Sequence, residues 1–152
     1  MTLYLHPNST RNLMFFSLNL GQSGGTLLTD RIDSLRAAIA LTATALPFIE
    51  EAWAVLPDRI EAVWSLPEGD TRLEQRWTMV ERVFSFCLTE AEQAGFAIAR
   101  PALQHRLDDV VSYAEAVRRC WFAPVRAGLA DRPEDWVYSS IHRESPAMQL
   151  VA

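Results

Sequence analysis

Apolar and polar positions along this chain switch repeatedly between a strand period and a helix period. NLMFFSLNL, 12–20, is an apolar and aromatic run ending at GQSGG, and it predicts a buried strand. DRIDSLRAAIALTATAL, 30–46, then places Ile32, Leu35, Ala38, Ile39 and Leu41 at helical spacing, with Thr29-Asp30 as the expected N-cap and Pro47 as the stop. PFIEEAWAVL, 47–56, and RIEAVWSL, 59–66, predict two strands joined at Pro57-Asp58, most naturally an antiparallel pair. PEGD, 67–70, is a turn. TRLEQRWTMVERVFSFCLTEAEQ, 71–93, predicts a long amphipathic helix burying Leu73, Trp77, Val80, Val83, Phe84 and Cys87. GFAIARPALQH, 95–105, reads as a fourth strand broken by Pro101. LDDVVSYAEAVRRCWFA, 107–123, predicts a third helix with Asp108-Asp109 at its positive end and Pro124 breaking it, and Gly128 marks a later helix stop. The order β-α-β-β-α-β-α predicts the α+β class, an antiparallel sheet with packed helices.

The totals narrow this picture. The length of 152 residues predicts a single domain over 1–152, with roughly the first 12 residues an extension or edge segment, and 49% apolar residues suffice for a core. A net charge of −5 lowers the expectation of a surface built to neutralise phosphates, although a local basic patch remains open. Cys87 and Cys120 lie far apart, in no metal-binding spacing, and read as reduced, buried thiols of a cytoplasmic protein. The start MTLYLHPNSTRN lacks a signal-peptide pattern, and no apolar run reaches the ~20 residues of a membrane span, so no membrane partner is expected.

Unaided, the residues suggest little catalysis. His6, His105 and His142 are mutually remote, and no H-x-H, H-E-x-x-H or C-x-x-C occurs, so His105 and His142 read as hydrogen-bonded structural imidazoles. No nucleophile-elbow, P-loop or dinucleotide motif is present; Ser139-Ser140 fits a local cap as well as a site, and Tyr113 fits a helix core. Glu50-Glu51 and Asp108-Asp109 are adjacent in sequence and therefore point apart. Arg118, Arg119 and Arg126 cluster near Trp121 and Phe122, with Arg132 and Arg143 downstream. Arginines beside aromatics can hold single-stranded nucleic acid by phosphate contact and stacking, or can simply cover a core with their stems.

Four segments carry a resemblance: MFFSLNLGQSGGTLLT (14–29), AWAVLPDRIEAVWSLPEGD (52–70), QHRLDDVVSYAEAV (104–117) and APVRAGLADRPEDWVYSSIHR (123–143), with Arg76-Trp77 between them. Together they resemble the REP-associated tyrosine transposases, single-tyrosine HUH proteins acting on single-stranded DNA hairpins. The resemblance implies a ferredoxin-like sheet domain. It also implies two histidines flanking an apolar residue on a strand, holding a divalent cation such as Mg or Mn, a nucleophilic tyrosine on the late helix, and an Asn or Gln one turn later. In this chain the histidine positions fall on Arg59 and Glu61, the tyrosine position on Arg119 and the Asn position on Ala123.

No catalytic position is therefore expected to be intact. A guanidinium repels a cation, arginine is no nucleophile, and one carboxylate makes a weak metal site. Arg59 and Glu61 share one strand face, and the resemblance places the late helix opposite it. Glu61 is accordingly expected to pair with Arg59 or Arg119, within ~4 Å. The expected reading is an inactive transposase-like domain without a metal cofactor. It would be retained as a DNA- or RNA-binding or regulatory domain, meeting single-stranded or hairpin DNA weakly through Arg118, Arg119, Trp121, Arg126 and Arg143. A protein-interaction or homodimeric module is the alternative, and an enzyme using Tyr113 or Glu61 is the third reading.

Overall fold

The computed structural model describes residues 11–19, 25–94, 96 and 103–143. Four strands, β1 (Asn12–Asn19), β2 (Ile49–Leu56), β3 (Arg59–Leu66) and β4 (Leu103–Leu107), form one sheet in the order β2-β3-β1-β4. All three pairings are antiparallel. This is the ferredoxin-like order anticipated above. Between and after the strands lie α1 (Leu27–Asp30), α2 (Ile32–Ala45), α3 (Leu73–Phe86), α4 (Glu90–Ala94) and α5 (Val110–Arg126).

The strand period of two decides which side chains meet which helix. Phe16, Leu18, Ile60, Ala62, Trp64 and Leu66 face α2 and α3 in the larger core. Leu13, Phe15 and Val63 face α5, meeting Tyr113, Val117, Cys120 and Trp121. The central strand β3 is buried on both faces, which explains why RIEAVWSL reads as nearly continuous apolar sequence.

Several boundaries differ from expectation. Thr29 and Asp30 do not cap α2; they end α1, where the Thr26 hydroxyl donates to the Asp30 carboxylate at 2.7 Å. The long helix over 71–93 is two helices. The amides of Cys87 and Leu88 turn back to the carbonyls of Phe84 and Ser85, tightening the last turn. Thr89 and Glu92 then exchange side-chain-to-backbone bonds of 2.9 and 3.2 Å, a capping box that starts α4. Cys87 consequently lies exposed, while Leu73, Trp77, Val80 and Phe84 are buried as anticipated and Val83 is half-buried. The strand over 95–105 is observed only as Leu103–Leu107, and Pro101 lies outside the described residues.

Pro124 does not end the third helix but sits inside the last turn of α5. Its ring removes one intrahelical donor, yet the turn is closed past it by the Ala127 amide on the Ala123 carbonyl at 3.0 Å. Gly128 is the stop. At φ +76° its amide bonds the Val125 carbonyl at 3.0 Å, and the Leu129 amide bonds that of Pro124 at 2.9 Å, the paired bonds of a Schellman end. At the other end the Asp109 carboxylate accepts from the Ser112 amide at 2.7 Å, and that bond holds its carboxyl below the usual range.

Candidate functional site

Glu61 lies at the middle of the sheet, between Ser17 of β1 and Ala54 of β2, on the face covered by α5. Its side chain is 2% exposed. An ion so placed costs several kcal/mol unless cations attend it. Three do. Arg59 Nε lies 3.3 Å from Oε2, Arg119 Nε lies 3.5 Å from Oε1, and Arg126 Nη2 donates to Oε1 at 3.0 Å. Both pairings anticipated from the sequence are present. Arg126 adds a third, because residues seven apart on a helix return to the same face after two turns.

The arrangement is braced from behind. Arg126 Nη1 also donates to the Arg119 carbonyl at 3.0 Å, and the Arg119 guanidinium lies over the Phe15 ring, 5.3 Å from its centroid. Cys120 is fully enclosed beside them. Burial pushes its thiol well above the ordinary value, and the Glu61 charge adds to that effect. Ala123 is enclosed against Ala54 and Leu56.

A divalent ion does not fit this donor set. It requires several neutral or anionic ligands, whereas the site offers one carboxylate already shared by three guanidiniums. Among the described residues no group of three or more His, Cys, Asp and Glu comes together.

The other sequence candidates separate. Arg118 is exposed on α5. The Trp121 ring, anticipated as a stacking surface, is instead buried, and its Nε1 donates to Ser140 Oγ at 3.0 Å. Arg143 does not join Arg119 and Arg126 at Glu61; its guanidinium donates to the carbonyls of Glu50 and Glu51, 3.1 Å each, on β2. Tyr113 is a core residue whose hydroxyl donates to Glu51 at 3.2 Å. Glu50 and Glu51 point apart, the former to Arg36 near α2 and the latter to Tyr113 on α5. His142 is hydrogen-bonded to the Trp136 carbonyl at 2.6 Å. His105 is exposed and stacks on Phe15 with centroids 6.3 Å apart. It borders a groove of about 360 Å³ between β4 and α5, which Arg119, Ser112 and Glu115 also line. His6 lies outside the described residues.

The segment after α5 acts as a clamp on the outer edge of β2. Ser139 bridges Ala54, the Val55 amide bonds the Tyr138 carbonyl, and the Ser140 amide bonds the Trp53 carbonyl. Trp136 Nε1 donates to the Val55 carbonyl at 2.9 Å. Ser140 Oγ accepts from both the Trp53 amide and the Trp121 indole. The Trp-x-x-Ser-Ser-x-His-Arg run is therefore architecture, covering a sheet edge that would otherwise be open.

This geometry can be set beside known proteins. No family profile matches the chain. The REP-associated tyrosine transposase of Escherichia coli is 31% identical over 132 residues, covering 86% of this chain and 76% of that protein. A putative REP-associated tyrosine transposase of Haemophilus influenzae is 27% identical over 158 residues, covering 97% and 89%. A solved structure of a REP-associated tyrosine transposase bound to a REP hairpin matches with a TM-score of 0.80 and 29% identity over 89% of this chain and 79% of that one. Sequence and fold agree over most of both molecules, and the chain belongs to the REP-associated tyrosine transposase family.

Proposed function

We propose that this protein is a transposase-like domain that engages DNA hairpins without cleaving them. The carrying observation is the Glu61 cluster: Arg59 and Glu61, at the positions the resemblance assigns to ion ligands, and Arg119, at the position it assigns to the nucleophile, form ion pairs with one another through Glu61, and Arg126 joins them. Strand cleavage by a tyrosine requires a phenol at the phosphorus and a cation on the phosphate. The resemblance puts Arg119 at the phenol's position, and Tyr113 is enclosed between α5 and the sheet. Hairpin binding is supported by the solved relative, which is bound to a REP hairpin, and by the exposed Arg118.

The test incubates the full chain with a labelled DNA hairpin carrying a single-stranded tail, with and without manganese. The expected result is a salt-sensitive complex with no nick and no covalent adduct. A phosphotyrosyl-DNA adduct overturns the inactive reading, and absence of any complex at low salt overturns the binding reading.

One observation favours a second reading, a protein-binding module. Met79, Val83 and Phe86 line a hollow of about 500 Å³ on the outer side of α3, with Phe86 strongly exposed. A concentration-dependent dimer that Phe86→Glu dissolves is its expected signature.

A further inference from the structure

We infer that the arginine cluster over Glu61 is a metal-independent seat for a DNA backbone phosphate, its guanidiniums supplying the charge that the family's site would take from a divalent ion. The inference rests on the hairpin-binding reading above and deepens it.

The first ground is charge. Arg59, Arg119 and Arg126 against Glu61 leave a net charge of +2, that of a divalent ion. Six other arginines of the described residues are closer to balance. Arg31, Arg36, Arg106 and Arg132 each meet a single carboxylate, and Asp70 meets two arginines. The second ground is exposure. The carboxylate is 2% exposed, whereas the Arg59, Arg119 and Arg126 side chains are 32%, 48% and 44% exposed. The anion thus sits at the floor beneath three cationic side chains that are each partly exposed.

The third ground is unused donor capacity. A guanidinium carries five N–H donors in a planar fork that matches phosphate oxygens. Only Arg126 spends its terminal nitrogens, on Glu61 and on the Arg119 carbonyl. Neither Arg59 nor Arg119 makes a hydrogen bond from its terminal nitrogens among the described residues, while the Nε of each faces Glu61. The fourth ground is access. The groove of about 360 Å³ opens beside Arg119, with Phe15 and His105 along one wall. Glu115, one turn before Arg119, lines the same groove and is the anionic side chain there.

The experiment measures hairpin affinity by fluorescence anisotropy across a salt series, in EDTA and in magnesium, for wild type, Arg119→Ala, Glu61→Gln and Arg31→Ala. Arg31 pairs with Glu92 on the far side of the sheet and serves as the charge control. The expected result is binding in EDTA at least as tight as in magnesium, about tenfold weakening in Arg119→Ala, and a salt slope lower by about 1 in that variant. Glu61→Gln is expected to tighten binding, the opposite of what loss of a purely structural bridge would do. If Glu61→Gln fails to fold, the slope of the half-exposed Arg119→Ala decides. Tighter binding in magnesium than in EDTA, or an Arg119→Ala slope equal to that of Arg31→Ala, overturns the inference. If wild type binds no hairpin, the hairpin reading fails, and a titration with inorganic phosphate read on the arginine Nε–Hε resonances decides the seat. Shifts at Arg59, Arg119 and Arg126 support it, and unmoved resonances overturn it.

Discussion

Asp70 and Arg76, six residues apart, form the most enclosed ion pair of the described chain, with Nη2 and Oδ2 2.9 Å apart and Nη1 and Oδ1 3.0 Å apart. The Arg76 side chain is 0% exposed. Its remaining donors reach the carbonyls of Leu46, Pro47 and Arg72 at 3.2, 2.7 and 2.9 Å. A wholly buried guanidinium survives only with such complete satisfaction. The pair ties the turn after β3, the start of α3 and the entry to β2 into one knot. Leu-Pro-Glu-Gly-Asp and Arg-Trp, separate segments in the sequence, are thus two halves of a single structural device.

Breaking that knot exposes the uncompensated partner. Asp70→Ala is expected to cost about 3–5 kcal/mol, the range for removing one member of a buried pair. The pH dependence follows from the same contacts. The Arg76 and Arg72 hydrogen bonds hold the Asp70 carboxyl far below its ordinary value. The unfolded chain then takes up the proton first, so this stabilisation is complete above the unfolded value of about 4 and drains away as pH falls below it. Urea unfolding at pH 7 and pH 3 checks this. Wild type should lose more stability between the two than Asp70→Asn does, since the other carboxylates titrate in both proteins.

Ser140 carries the clamp on β2. Its hydroxyl oxygen is the acceptor for both the Trp53 amide, 2.9 Å, and the Trp121 indole, 3.0 Å. Ser140→Ala leaves both donors without it, at about 1–3 kcal/mol for each buried group left unsatisfied. The expected outcome is a fall in melting temperature of several degrees. Ser139→Ala should be milder, because the Ser139 hydroxyl meets only the Ile141 amide at 3.2 Å.

The sheet was legible in the sequence because its signals are local. Apolar runs over β1, β2 and β3, the Pro57-Asp58 turn and the paired faces of Arg59 and Glu61 follow from a period of two. Arg126 as a Glu61 partner was readable from its spacing to Arg119, but only once the face of α5 that meets the sheet was known. The break after Phe86 also had a local sign, Thr89 three residues before Glu92, which the longer apolar period masked. Arg76 and Ser140 gave no such sign. A buried arginine and a surface arginine on a helix look alike until the carbonyls of Leu46 and Pro47, thirty residues away in the chain, are placed around it.

The two cysteines should react differently. Cys87 is exposed at the end of α3, whereas Cys120 is enclosed beneath α5 with its thiol pushed up by burial. A thiol-titration reagent on the folded protein at neutral pH is expected to modify one sulfur quickly. The second should follow only on unfolding. Rapid labelling of Cys120 would mean that α5 opens readily from the sheet, loosening the Arg119 and Arg126 side of the Glu61 cluster.

Restoring the residues that the family resemblance implies meets a steric obstacle at Ala123. Its methyl group is enclosed against Ala54 and Leu56, where α5 lies over β2. An asparagine there brings an amide into an apolar contact with no partner in reach among these residues, combining overpacking with an unsatisfied polar group. Ala123→Asn alone is therefore expected to cost about 1–3 kcal/mol, measurable as a lower urea midpoint with an unchanged slope. The fourfold change Arg59→His, Glu61→His, Arg119→Tyr and Ala123→Asn carries that penalty and also removes Glu61 from its three arginine partners. Nicking should be sought with Leu56 shortened in the same protein, so that the helix can settle around the new amide. A fourfold variant as stable as wild type would show that this contact between α5 and β2 yields more easily than its enclosure implies.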